Sequence, residues 1–338
     1  MVKIGWKAGA EQFTPSDLLA WAQKAEELGF ELIDISDHFN PWSEAGQATF
    51  AWTWLGAAAA RTQRIALGTG VTCPILRYHP AIIAQSVATL ASLAPGRTYL
   101  AMGTGEALNE YTACGMWPAY AERQERMQEA IELIRTLLSG EEVTHQGKYY
   151  QTHKARLYTL PAQPIPLYMS SLVPASAQFA GKYSDGLFTV GGKKPEIYRQ
   201  LLQNFEQGAR DAGKDPASLP KLIELNVEYE QDLDAALQNH LKYWAGTYIP
   251  ALFDQKIYSP KMSQENGEIV TPEAVKKAGC VSANAEDHQR FLQQYIDLGF
   301  THLILHSARQ DQRAFLEAYS RDVIARLRTP SMAGRASQ

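Results

Sequence analysis

Eight short apolar runs alternate along this chain with segments of helical period: Val2–Lys7, Leu32–Ile35, Ile65–Gly68, Thr98–Met102, Leu167–Ser170, Gly186–Val190, Leu222–Tyr229 and His302–His306. A strand covered on both faces reads as a nearly continuous apolar run, and parallel neighbours need a crossover, usually a helix. Eight such units predict an α/β protein built as a closed (β/α)8 TIM barrel. The first helix is punctuated accordingly: Thr14-Pro15-Ser16-Asp17 offers a cap, a first-turn proline and an acidic first turn, and Gly29 stands where the helix must stop. Other helices are expected at Pro80–Ser92, Ala121–Ser139, Ala175–Tyr183, Pro195–Ala212 and Asp311–Arg328. The rival architecture is a doubly wound open sheet, and its Gly-rich fingerprint is missing after the first strand, where Gly9-Ala10-Glu11 has the wrong spacing.

The expected organisation is one barrel domain over residues 1–329. Two excursions interrupt it. Residues 142–160, with Val143, Tyr149 and Tyr150, read as a small hairpin, and residues 245–274, with Pro250, Pro260 and Pro272, read as an active-site loop region. The small, polar stretch 330–338 reads as a disordered tail.

A balance of 32 Lys+Arg against 36 Asp+Glu leaves a formal charge of −4, which offers no global field for nucleic acid or an anionic membrane. A small molecule is the expected partner. Three cysteines, Cys73, Cys114 and Cys280, form no CxxC pair and leave one unmatched in any disulfide scheme, so a reducing, cytoplasmic setting is expected. Neither a secretion signal nor a membrane anchor is expected. There is no metal-ligand spacing, no serine nucleophile elbow and no basic-aromatic strip.

Two clusters follow strand ends, where an α/β barrel carries its reacting groups: Ser36-Asp37-His38-Phe39-Asn40-Pro41-Trp42, and Gly103-Thr104-Gly105-Glu106-Ala107-Leu108-Asn109-Glu110. An imidazole with an ordinary pKa near 6.5, beside a carboxylate at the barrel rim, suits removal of a proton from an alcohol as its hydride departs. Glu106 sits in a Gly-flanked turn that lets a bound ring approach. Such a combination reads as an enzyme.

With Glu11-Gln12-Phe13, Thr72-Cys73-Pro74, Arg77-Tyr78-His79-Pro80 and Asp311-Gln312-Arg313, these clusters resemble the deazaflavin (coenzyme F420)-dependent dehydrogenases of the luciferase-like superfamily. The likeness is to the branch that holds a glucose-6-phosphate dehydrogenase and a secondary alcohol dehydrogenase. It implies His38 as the base, Trp42 lining the pocket and stabilising developing charge, and Glu106 as the acid that serves the ring nitrogen. Glu11 is implied as a second carboxylate that sharpens the electrostatics. For the coenzyme it implies contacts from Asp37, Cys73, Thr104 and Asn109, a cis peptide at Gly70-Val71 under the ring, and a phosphate grip at Ser170 and Ser171. Leu172 and Val173 stand where the family often has glycine. A substrate phosphate would meet Lys193, Lys261 and Lys277. Lys277 replaces an arginine fork with a point charge, and Val190 replaces a hydroxyl-bearing residue.

The function implied is oxidation of a carbinol, of a sugar phosphate such as glucose 6-phosphate, with hydride passed to F420. Three alternatives stand beside it: a secondary alcohol dehydrogenase using the same coenzyme, an FMN-dependent luciferase-like monooxygenase, and a non-catalytic flavin or deazaflavin-binding protein. The run from Ala51 to Ala60, Ala-Trp-Thr-Trp-Leu-Gly-Ala-Ala-Ala-Ala, is apolar on nearly every face, which predicts a homodimer.

Overall fold

The computed structural model describes residues 2–254 and 256–328, so the expected tail at 330–338 lies outside the described residues. Among the described residues nine strands form: β1 (Lys3–Ala8), β2 (Leu32–Ile35), β3 (Ala66–Thr72), β4 (Thr98–Met102), β5 (Leu167–Ser170), β6 (Gly186–Val190), β7 (Lys221–Glu228), β8 (Cys280–Val281) and β9 (His302–His306). Their order is β6-β5-β4-β3-β2-β1-β9-β7, and a β6–β7 pairing closes the barrel. The short β8 hangs on the outer end of β7. All the strand pairings are parallel, and it is the β6–β7 closure that settles the choice against an open sheet.

Alternation along the strands sorts the barrel interior into layers. Leu32, Tyr99, Tyr168, Phe188, Leu222 and Ile304 make an apolar plug inside the barrel. Two residues further along the same inward faces stand Lys7, Asp34 and Glu224. Room for the plug comes from missing side chains. A Cβ on Gly5 would lie 2.6 Å from Leu32 Cγ, and one on Gly68 would lie 2.4 Å from the Tyr99 ring. The opposite strand faces pack against the helices and form the main core.

The strands expected from sequence recur closely, with one instructive difference. The third runs on to Thr72, and its register against β4 shifts between Thr69 and Thr72. The sequence pattern ends this strand at Gly68, yet Thr72 Oγ1 donates to Asp37 at 3.0 Å and Lys7 Nζ donates to the Gly70 carbonyl, so tertiary contacts draw the segment into the sheet. The hairpin at 142–160 is reduced to two antiparallel bridges, Val143 to Ala155 and Gln146 to Gln151. The loop expected at 245–274 is instead mostly helical, with a 3-10 turn at Ala245–Tyr248 and helices at Ala251–Asp254, Pro260–Gly267 and Pro272–Ala278. Its prolines start helices: Ser259 and Thr271 cap, and Pro260 and Pro272 take the first position, which needs no N–H. The last expected helix is broken by a π turn at Ser320–Ile324.

Candidate active site

The loops after β1, β2 and β4 meet at the C-terminal mouth of the barrel. Glu11 is 1% exposed, and its Oε1 lies 2.7 Å from His38 Nδ1. That contact leaves the other ring nitrogen for chemistry. The Trp42 ring stands edge-on to the imidazole, with centroids 5.2 Å apart and planes at 80°. Asn109, in the first turn of the helix Ala107–Cys114, joins the β2 and β4 loops. Its Oδ1 accepts from the backbone of Phe39 at 2.9 Å and of Asn40 at 3.0 Å, while its Nδ2 donates to Glu106 Oε2 at 3.3 Å. The structure thus brings Glu11, His38, Trp42, Glu106 and Asn109 together.

Burial works against a charged His38, but the carboxylates of Glu11 and Glu106 outweigh it and raise the imidazole pKa above its ordinary value. Glu11 answers in the opposite sense: burial alone would raise it, and the neighbouring His38 and Lys7 hold it down at about 2. Glu106 keeps part of its surface open, yet desolvation of the carboxyl and the negative charge of Glu11 raise it, against the pull of His38 and the Trp42 indole. One acid is held ionised and another is pushed toward its neutral form within a single cluster. That separation assigns acid and base roles in carboxylate chemistry.

Asp37 is buried and heavily engaged. It accepts from Thr72 at 3.0 Å and from Tyr78 at 3.0 Å, and pairs with Arg77 at 3.2 Å. Arg77 also pairs with Glu110 at 3.3 Å, and burial lifts Glu110 to about 7. Next to this cluster, Gly70-Val71 is a cis peptide. The ends of β3 and β4 pack without room for larger groups: a Cβ on Gly103 would meet Val71 Cγ2 at 2.7 Å, and one on Gly105 would meet Cys73 Sγ at 2.8 Å. Thr104 and Glu106 are left as the half-exposed side chains of that turn.

At the end of β5, Ser170 is half-buried, whereas Ser171 is spent internally: its hydroxyl donates to the Val173 carbonyl at 2.9 Å and meets Ser176 Oγ at 2.6 Å. The helix Pro174–Tyr183 that follows has no side-chain cap on its N-terminus. Lys193 and Lys277 line one cavity of about 570 Å³ together with Gly192, Tyr198, Phe291 and Tyr295. None of Glu11, His38, Trp42 and Glu106 lines it. Burial lowers the pKa of Lys193. Lys261 is not part of this group; its side chain is 68% exposed and lies 3.9 Å from Glu265.

Sequence reasoning missed a buried charged layer beneath the site. Lys7 Nζ contacts Asp34 at 3.2 Å and Glu224 at 2.9 Å, and Glu224 Oε1 lies 2.9 Å from His306 Nδ1. Burial raises Asp34 to about 7, while Lys7 and His306 overcome burial and hold Glu224 at about 2. The signal was present: Lys7, Asp34 and Glu224 each interrupt an apolar strand of a sheet covered on both faces, where charge is rare unless paired. Among the described residues no group of three or more His, Cys, Asp or Glu is placed to hold a metal ion, and no helix is long and apolar enough to cross a membrane.

The luciferase-like monooxygenase family model matches residues 2–302. An F420-dependent glucose-6-phosphate dehydrogenase of Intrasporangium calvum is 41% identical over 333 residues, covering 97% of this chain and 99% of its own. The protein of the same description in Nakamurella multipartita is 40% identical over 329 residues, covering 97% of each. Among solved structures, an F420-dependent secondary alcohol dehydrogenase in complex with an F420-acetone adduct is similar at a TM-score of 0.92 and 35% identity, covering 97% of this chain and 99% of that one. A coenzyme F420-dependent tetrahydromethanopterin reductase from Methanopyrus kandleri shares the fold, with a TM-score of 0.78 at 21% identity over 96% of this chain and 99% of its own.

Proposed function

The chain belongs to the luciferase-like monooxygenase family, and from that premise we propose that it is an F420-dependent dehydrogenase that oxidises a carbinol, with a sugar phosphate such as glucose 6-phosphate as substrate. Relatives of that description match it over nearly their whole length. The observation that carries the chemistry is the pairing of His38 with an ionised Glu11, beside a Glu106 that burial favours in its neutral form.

The residues present fit a deazaflavin. Gly103 and Gly105 let the end of β4 pack directly on Val71 and Cys73, which leaves the half-exposed Thr104 and Glu106 to meet a flat ring, with Asp37 nearby. The N-terminus of the helix Pro174–Tyr183, which no side chain caps, and the half-buried Ser170 before it offer an anionic tail a positive dipole end and a hydroxyl. When bound, the deazaflavin supplies a two-electron acceptor for the hydride of the carbinol. His38 takes the hydroxyl proton at Nε2, and the ionised Glu11, 2.7 Å from His38 Nδ1, stabilises the imidazolium that results. Glu106 holds a proton on its carboxyl at the edge of the ring site, and Trp42 closes the wall next to His38. Asn109 keeps the two loops in register.

Lys193 and Lys277 share a cavity and supply positive charge for a substrate phosphate, while Lys261, exposed on the helix Pro260–Gly267, adds only a screened charge from outside that cavity. We place the enzyme in the cytoplasm as a homodimer. Its three cysteines are free, and Phe50, at the N-terminus of the helix Ala51–Arg61, and Ile82, in the helix Pro80–Leu93, are exposed large apolar side chains, while Trp54 and Leu55 are buried within the chain. The test is absorbance of F420 with glucose 6-phosphate and with simple secondary alcohols. Bleaching of the oxidised coenzyme by the sugar phosphate is expected, and bleaching by the alcohols alone would move the assignment to the alcohol dehydrogenase branch.

A further inference from the structure

Native proteins seldom leave buried polar atoms without partners. Three neighbouring residues at one side of the mouth each carry such an atom that the steps above do not use: His306 Nε2, Trp244 Nε1 and Glu11 Oε2. His306 and Trp244 are each 2% exposed and Glu11 is 1% exposed. Their proximity follows from contacts. The Trp244 ring lies over the His306 ring at 4.0 Å and 33°. A Cβ on Gly9, two residues before Glu11, would stand 3.4 Å from His306 Nε2. Trp244 also belongs to the apolar cluster that contains Trp42. The orientation of His306 is fixed, because its Nδ1 lies 2.9 Å from Glu224, which Lys7 holds in turn at 2.9 Å. Nε2 is therefore the free end of a braced ring.

We propose that His306 and Trp244 recognise a second hydroxyl of the substrate, distinct from the one oxidised at His38, and so select polyhydroxylated carbinols over monofunctional ones. This rests on the carbinol-oxidising reading above and deepens it. A hydroxyl both donates and accepts, which matches an indole N–H donor beside an imidazole nitrogen and a carboxylate oxygen. An alkyl group would leave all three atoms unpaired. A phosphate would face the carboxylates of Glu11 and Glu224, so the charged end of the substrate belongs elsewhere, on the lysine side. Sites built to hydrogen-bond a substrate hydroxyl reject the analogue that lacks it far more strongly than apolar pockets reject a missing methylene.

The experiment measures both dissociation constants and kcat/KM on the F420-loaded protein for matched pairs: glucose 6-phosphate against its monodeoxy analogues, and cyclohexane-1,2-diol against cyclohexanol. The native protein should favour the extra oxygen by about 10² or more in at least one pair. Trp244→Phe, which keeps a ring and removes the N–H, and His306→Gln should each cut that preference at least tenfold while leaving the poorer partner unchanged. No preference in the native protein, or a preference that both variants retain in full, overturns the proposal. Discrimination in binding without oxidation of any carbinol would sink the dehydrogenase reading and leave this one standing; oxidation without discrimination would do the reverse.

Discussion

The β1, β2 and β4 loops and the β6 side of the barrel handle charge in opposite ways. At the first, each carboxylate has named neighbours: Glu11 with His38, Asp37 with Thr72, Tyr78 and Arg77, Glu110 with Arg77, and Glu106 with Asn109. At the second, Lys193 is half-buried in a roomy cavity where desolvation is the whole cause of its lowered pKa, and Lys277 beside it is exposed. Interlocked ion pairs and hydrogen bonds hold geometry, and preorganised geometry is what proton and hydride transfer require. Cations with capacity to spare fit an anion that arrives and leaves. The tight region should therefore govern kcat and the open one KM.

The largest test of that division is His38→Ala. It should leave the fold and coenzyme binding intact and lower kcat by about 10²–10⁴-fold, the range for a lost general base. The base must be neutral to act, and its pKa is raised, so activity in the native enzyme should climb with pH through a point above the ordinary imidazole value. In the variant that limb should vanish. A surviving acid limb in the kcat profile would hand the proton to another group.

Glu106→Gln comes next. The amide preserves shape and the contact with Asn109 but holds no transferable proton, so kcat should fall by about 10², with the affinity for F420 unchanged. If Glu106 acts protonated, as proposed, its raised pKa means that native activity should decline as pH rises through a point above the ordinary carboxylate value. Full turnover in the amide variant would remove Glu106 from the proton chemistry.

Much of this contrast is legible in the sequence. Strand ends, the Thr14 cap and the Asp37-His38 and Glu106 clusters can be read because each is a local pattern with a local cause. The layer of Lys7, Asp34 and Glu224 is a property of barrel closure: the three sit in strands far apart in sequence, and only the β1–β2 and β7–β9–β1 neighbourhoods bring them together. His306 reads as packing for the same reason, since its role depends on Glu224 in another strand and Trp244 in a helical insertion. Ser171 shows the converse. Its hydroxyl suits a phosphate by sequence, and in the fold it is taken up by Val173 and Ser176.

On the open side the expected effects are smaller and fall on KM. Lys193→Ala should raise KM for a phosphorylated substrate by about 10- to 100-fold, as loss of a charge-assisted contact of roughly 1.5–3 kcal/mol implies, with kcat little changed. Turnover of an unphosphorylated secondary alcohol serves as the control and should not move. An unchanged KM for glucose 6-phosphate would take Lys193 out of the substrate site.

Lys261 should matter least of the three lysines, and its variant sharpens the comparison within the open region itself. Its side chain is 68% exposed and shares its field with Glu265 at 3.9 Å, so water and salt screen whatever it offers an anion. The helix that carries it is anchored independently, by Gln264 to Ser43 at 3.1 Å and by the Ser259 cap, so Lys261→Ala removes charge without loosening the insertion. The expected rise in KM is about 2- to 5-fold, in keeping with a surface ion pair of under 1 kcal/mol, and it should shrink as ionic strength is raised. Measured at low and high salt beside Lys193→Ala, a Lys261 effect that equals the Lys193 effect and resists salt would mean that the helix Pro260–Gly267 closes over the bound phosphate and buries the ammonium there.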